Sequence, residues 1–322
     1  MANPRPFVIS PALTAIAIGY QNRAMIAEDV LPSIPVPAES YKFTRYPLGE
    51  TFTVPDTRVG RRGRVQRVEF SGIEDTGSTN DYGLEDGVPI SDINQAAAMR
   101  AAGVSVYDPV ARSTMGLTEI TVLDREIRSA RIVQDPNNYS PVSRLALSGP
   151  DQFDQDTSKP IDIFQEMFGS TRIYRPNTMS MGRAVWTKLS RNKSLVKACK
   201  GSLTGEGIIT TDDFVNLFRG EGLTKLVIGE AFVNAARPGQ DVNLQRVWGN
   251  SIQCTYLNAS LPSVQGGVTW GWRATFGGRI AGSWDDRNVG LEGGQVVRIG
   301  EKSEERCVAP DVGFIIQTPV AA

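Results

Sequence analysis

From Asp108 to Pro136 the apolar positions fall at helical steps. Leu117, Ile120, Leu123, Ile127 and Ala130 recur at three- and four-residue intervals, while Asp124, Arg125, Glu126, Arg128 and Arg131 occupy the other face. Asp108 can accept from the free N–H groups of a first turn, and Pro109 suits the first helical position. Before Pro136 the α region is disfavoured for Asp135, so the pattern predicts a helix ending near Gln134, about 26 residues and roughly 40 Å long.

Elsewhere the period shortens to two. From Ser40 to Tyr46 the side chains alternate, and they alternate again from Val65 to Phe70. Between them lies a polar, turn-rich stretch, so the pair predicts a long two-stranded excursion. Isolated two-stranded ribbons are marginal in water, and this one needs a partner surface. Residues 1–39 carry six prolines, which predicts an extended arm, interrupted by a short amphipathic helix over Pro11–Ala27 with Leu13, Ile16, Tyr20 and Ala24 on its apolar side. Such an arm has no core of its own and must lie on the body or on another subunit.

After the arm and the excursion the signals are those of a folded body. Asp92–Ala102 predicts a short helix ending at Gly103, and Ser158–Phe168 a second, with Pro160 in its first turn. Residues 177–182 predict a buried strand, 183–201 a helix closed by glycine, 210–220 another helix, and 225–234, 251–257 and 268–276 further strands. The C-terminal stretch predicts a long strand, a turn and a last strand. The mixture makes the fold class α+β.

A chain of 322 residues can bury a sizeable core in two domains, or in one domain with extended arms. With 34 basic and 35 acidic residues the net charge is -1, so no global field draws it to nucleic acid or to anionic membrane. The apolar run Pro11–Ile18 is too short to span a bilayer and has no charged leader before it, which predicts a soluble, unsecreted protein. Cys199, Cys254 and Cys307 are odd in number and widely spaced, so neither a disulfide framework nor a thiolate zinc site is expected. The five tryptophans, Trp186 to Trp284, suit core or subunit contact.

The sequence contains no histidine, which removes the usual general base and the commonest transition-metal ligand. The paired acids Asp212–Asp213 and Asp285–Asp286 could hold Mg²⁺, which would make an α/β metal-dependent enzyme. The competing reading of Asp212 and Asp213 is a helix cap opposing the dipole. The glycine-rich run 201–207 lacks the Lys-Ser/Thr of a phosphate loop and predicts a surface loop. No cofactor, catalytic residue or metal ligand is therefore assigned. The one concentrated charge lies at the tip of the excursion, where Arg58, Arg61, Arg62, Arg64 and Arg67 fall within ten positions. No aromatic residue interleaves with them, and Glu74, Asp75, Asp81, Glu85 and Asp86 follow. A solvated face, a protein contact and a phosphate contact are all open on these residues alone.

Taken in order, the chain has an arm, a long β excursion, a long helix, a compact α/β unit and a returning strand. That order resembles the major capsid proteins of tailed bacteriophages, the Hong Kong 97 type of coat fold. The resemblance rests on PALTAIAIGYQNRAMIAEDVLPSIPV (11–36), FTVPDTRVGRRGR (52–64), DPVARSTMGLTEITVLDREIRSARIV (108–133), MGRAVWTKL (181–189) and VIGEAFVNAARPGQ (227–240). It implies an N-terminal arm over 1–39, an E-loop with flanking segments over 40–107, a peripheral domain with a spine helix over 108–172, an axial domain over 173–285, and return strands over 286–322. The peripheral domain would hold the spine helix, the 158–168 helix and the strand near 294–308.

The resemblance further implies a mechanical role: pentamers and hexamers closing into an icosahedral shell around double-stranded DNA. DNA would be enclosed without sequence-specific binding and without any membrane. The partners implied are the protein itself, a portal, and a separate scaffolding or decoration protein, because no long charged coiled-coil segment precedes the arm. The location implied is the virion capsid, after synthesis in the host bacterial cytoplasm. The five loop arginines would reach a neighbouring subunit's carboxylates. No lysine occurs between Phe43 and Ser158, so a covalent cross-link from an E-loop lysine is not expected. An encapsulin-type compartment would share the fold and enclose an enzyme instead of a genome.

Overall fold

The computed structural model describes residues 8–9, 25–45, 52–68, 72–201, 205–237, 239–258, 260–261 and 267–321. The expected helix over Pro11–Ala27 falls almost wholly outside them. What is described there is a four-residue turn of helix, Ala27–Val30.

Two sheets carry the body. The first is built on the antiparallel pair Gly271–Asp286 and Gly294–Cys307, much longer than the strand expected over 268–276. Their register shifts between Phe276 and Ile280, where Gly277 and Gly278 take the positive φ values of 71° and 70° that a side chain would resist. Asn80–Pro89 pairs on one side, and Val8–Ile9 and Ser33–Pro35 pair with Gly271–Asp286 on the other. The second sheet runs Arg144–Ala146, Gly313–Gln317, Ser251–Thr255, Thr178–Gly182, Lys225–Gly229. Two of its three inner strands, Ser251–Thr255 and Thr178–Gly182, are buried along their whole length.

The helix Pro160–Ser170 packs on this second sheet rather than in the layer of the long helix. Phe164 meets Phe214 and Phe218 edge-on at 5.6 and 5.3 Å, and Phe168 meets Phe314 at 5.3 Å. Aromatic burial decides its place, since each such ring removes a large apolar area from water. The single helix expected over 183–201 is two, Arg183–Leu189 and Lys193–Lys200. Asn192 breaks it: its Oδ1 accepts from Ser194 N at 3.0 Å to start the second helix, and its Nδ2 donates to Phe153 O and Ser158 Oγ. The strand expected over 225–234 also divides, because Phe232–Asn234 turns away to pair with Leu244–Arg246.

The long helix is Pro109–Val133. Asp108 Oδ1 accepts from Val110 N at 3.0 Å and Ala111 N at 3.2 Å, and Gln134 caps the other end. Its ends match the sequence signals, but burial divides both faces: of the apolar stripe Leu117 and Ala130 are buried and the other three are not. Arg125, Glu126, Thr114, Thr118 and Ser129 are buried, whereas Ile120 is 55% exposed and Leu123 and Ile127 are half-buried. Polar groups can face inward here because their partners do. The hydroxyls of Thr114, Thr118 and Thr121 donate to carbonyls four residues back, at 2.7 to 2.8 Å. Arg128 meets Glu305 of the first sheet at 2.6 Å. Only Leu117 of the expected stripe's first half is fully buried, against Ala281, Val297 and Ile299.

Candidate subunit interface

The β excursion leaves the body as Ser40–Arg45 and returns as Ile73–Ser78. The expected return strand over 65–70 is not formed: residues 65–68 are irregular, and 69–70 lie outside the described residues. Packing selects the later register. It sets Tyr41 opposite Gly77, where any side chain would collide with the Tyr41 ring, and lets Tyr41 Oη donate to Glu304 at 2.8 Å. Phe43 on the same face stands edge-on to Trp272 at 5.4 Å. Burial raises the Tyr41 phenol above its ordinary range, and the Glu304 carboxylate adds to the rise.

Beyond this root, residues 52–68 form a loop exposed over nearly its whole length. Val54 is 82% and Val65 80% exposed, and Phe52, Val59 and Val68 are exposed as well. Two local bonds shape it, Arg58 N to Asp56 Oδ1 at 3.0 Å and Gly63 N to Gly60 O at 2.8 Å. All five arginines singled out by the sequence, Arg58, Arg61, Arg62, Arg64 and Arg67, lie on it and are exposed. None of them pairs with a carboxylate among the described residues. The acidic block that follows them is committed elsewhere: Glu74 to Lys42 at 2.9 Å, Asp81 to Lys302 at 3.2 Å, Glu85 to Arg298 at 2.6 Å, and Asp86 to Ser113 Oγ at 2.8 Å. Glu74, Asp81, Glu85 and Asp86 are thus engaged away from the loop.

A second group, which the sequence did not reveal, fixes the arm where it meets the body. Glu126 is buried in the long helix and accepts three N–H donors, Ile26 N at 2.9 Å, Ala27 N at 2.8 Å and Trp248 Nε1 at 2.6 Å. Burial pushes its carboxyl above the usual range, and these three donors hold the rise in check. Next to it, Glu28 of the arm takes Arg125 Nη1 and Arg273 Nη2, each at 2.8 Å, and Asp29 takes Lys225 Nζ at 2.5 Å. One arm turn is thus bonded to the long helix, the first sheet and the second sheet. Read as periodicity, Glu126 was one more charge on a solvent face. No local signal marks it as buried.

The paired aspartates lie on different elements of the fold. Asp212 and Asp213 open the helix Thr211–Phe218, where Asp213 accepts from Thr210 N and Thr210 Oγ1 accepts from Asp213 N, a reciprocal cap. Asp285 and Asp286 end a strand of the first sheet, and Asp286 Oδ1 accepts from Asn288 N and Nδ2. The structure does not bring the pairs together. Among the described residues no three acids, cysteines or histidines cluster as a metal set, and no helix is long and apolar enough to cross a membrane. Cys254 is buried, and Cys199 and Cys307 are half-buried, none of the three in a disulfide.

A scan against protein-family models finds no match. A search of curated proteins does: the major capsid protein of Pseudomonas phage JBD67 is 40% identical over 317 residues, 98% of this chain and 99% of that protein. The chain belongs to the major capsid proteins of bacteriophages. The major capsid protein of Burkholderia phage BcepMu is a more distant relative of this capsid protein, 27% identical over 78% of this chain and 76% of its own length. Among solved structures, a phage-related protein from Bordetella bronchiseptica superposes with a TM-score of 0.74 at 20% identity, covering 99% of this chain and 100% of that one. The capsid of cyanophage P-SCSP1u gives 0.58 at 10% identity, covering 98% and 92%. The fold is thus the phage coat fold expected from the order of elements. An encapsulin from Synechococcus elongatus shares that fold at 11% identity, covering 97% and 96%, with a TM-score of 0.53. The encapsulin likeness is one of fold alone, and the 40% relative makes this capsid protein a phage shell subunit.

Proposed function

We propose that this capsid protein assembles into pentamers and hexamers that close into an icosahedral shell around double-stranded DNA, and that the loop 52–68 makes the contact between neighbouring subunits. The observation that carries the reading is the loop itself. Five exposed apolar side chains and five arginines with no carboxylate partner among the described residues stand on a loop with no core of its own. Exposed apolar surface of this kind marks an interaction site. A repeated head-to-tail contact closes into rings, and arms laid over neighbours tie the rings together.

The role is mechanical and asks for no catalysis. DNA is enclosed without sequence-specific contacts, consistent with a net charge of -1: a strongly basic wall would hold the genome against packaging and release. A portal and a separate scaffolding or decoration protein complete the particle, which is the virion capsid, assembled in the cytoplasm of the bacterial host. Negative-stain microscopy of the overexpressed protein tests the reading. Closed shells or five- and six-fold rings are expected. A protein that stays monomeric at high concentration would overturn it.

A further inference from the structure

Two guanidinium groups meet at one carboxylate oxygen where the arm touches both the long helix and the first sheet. Arg125 Nη1 and Arg273 Nη2 each donate to Glu28 Oε1 at 2.8 Å. Their remaining donors are not matched in the same way. Arg125 Nε, Arg273 Nε and Arg273 Nη1 are shielded from solvent and have no hydrogen-bond acceptor among the described residues. Ser129 Oγ, one turn on from Arg125 along the long helix, is buried in the same condition. The two arginine side chains are only 7% and 6% exposed, whereas Glu28 is 54% exposed, so the site opens to solvent past the arm.

The other acids nearby are shared with further groups. Glu301 lies 3.9 Å from Arg125, and Arg128 at 3.7 Å and Arg279 at 3.4 Å draw on it as well. Glu305, opposite Arg273 in the sheet, accepts from Arg128 at 2.6 Å. Glu126 gives its oxygens to Ile26, Ala27 and Trp248. Burial lowers the Arg125 pKa from the ordinary guanidinium value, and the Arg273 charge beside it lowers it further, so the two cations stand close enough to repel. Both nevertheless stay protonated.

We propose that Arg125 and Arg273 hold a small inorganic oxyanion of the phosphate class beside Glu28. A guanidinium presents its N–H groups as a fixed planar fork that matches the oxygens of a phosphate or carboxylate. One carboxylate oxygen cannot fill two such forks, and the tetrahedral oxygens of a phosphate offer the buried donors the acceptors they lack. The seclusion of both arginines sets the size of the ligand. A free anion can pass the exposed Glu28, whereas a phosphate within a DNA duplex brings its whole strand with it. Bound there, the anion fastens together the three elements that Glu28 already joins: the arm, the long helix through Arg125, and the first sheet through Arg273.

Titration calorimetry of the unassembled protein with sodium phosphate, at an ionic strength held constant with sodium chloride, tests the assignment. Saturation of the heat is the readout, because phosphate also favours folded proteins through its exclusion from their surface, an effect without saturation. The wild type should bind phosphate at a single site. E28Q removes the neighbouring negative charge at a half-exposed side chain and should tighten that binding several-fold. R273M should abolish it, with circular dichroism to check that the variant folds. Should R273M not fold, E28Q decides alone: an affinity equal to or below that of the wild type overturns the site. Absence of a saturable heat in both the wild type and E28Q, as expected if water meets the buried donors, overturns it too, and so does binding kept by folded R273M. A DNA duplex at the same phosphate concentration should not compete with the inorganic ion, and competition would remove the free anion as the ligand.

Discussion

Trp248 Nε1 and Ile26 N donate to the same oxygen of Glu126, at 2.6 and 2.9 Å, so one buried carboxylate on the long helix ties the arm to a residue that precedes an inner strand of the second sheet. Its other oxygen takes Ala27 N. Hydrogen bonds to a charged acceptor are stronger than neutral ones, and an abandoned buried donor is costly.

Removal of that acceptor strands three donors at once. Glu126→Ala should destabilise the unassembled protein by roughly 3 kcal/mol or more, at about 1 to 3 kcal/mol for each buried donor left unsatisfied. Denaturant unfolding of the protomer measures it. A change under about 1 kcal/mol would mean that water replaces the carboxylate without cost.

The same group sets a pH dependence. Burial raises the folded pKa of Glu126 above its ordinary 4.5. A raised carboxyl pKa contributes stability that is full below the unfolded value and is lost as pH rises through the folded one. Glu126→Gln cannot titrate. The stability of the wild type relative to E126Q should therefore fall as pH rises above 4.5 and level off once the folded pKa is passed. Paired melting curves from about pH 4 to about pH 7 read this directly, and a difference that stays flat or rises across the window would refute it.

Charge reversal on the loop separates assembly from folding. R61E/R62E alters exposed side chains that pair with no carboxylate among the described residues, so its melting temperature should match the wild type. Each pair lost to a neighbour is worth about 0.2 to 1 kcal/mol, but it recurs at every subunit contact. Particle yield by sedimentation should drop sharply, and an undiminished yield would remove the loop from the interface.

The shell should be free of covalent links between chains. Between Phe43 and Ser158 there is no lysine, and guanidinium groups stay protonated and are poor nucleophiles. Lys42, the nearest amine, lies in the root strand paired to Glu74 at 2.9 Å. Boiled, reduced particles should give one band at the chain's mass. A reductant-resistant ladder would show a cross-link.

How far the sequence reaches depends on the range of the forces involved. The ends of the long helix, the helix start at Asp212 and Asp213, and the glycine stop at Gly201 were legible because a cap or a stop is decided by neighbouring residues. So was the order of elements that resembles a phage coat protein, and with it the shell role. Which way the long helix turned was not legible. Its apolar stripe looks like a core face until the first sheet presents Glu301 and Glu305 to it, and then Arg125 and Arg128 are the residues that fit. The excursion's return register was hidden for the same reason. Alternation permits several pairings for Ser40–Arg45, and only the contacts of Tyr41 with Glu304 and Phe43 with Trp272, more than 200 residues away in sequence, select Ile73–Ser78. Glu126 is the limiting case: its partners lie about 100 residues before it and 122 after it, and no local pattern of polarity can announce a charge whose solvation is supplied from so far along the chain.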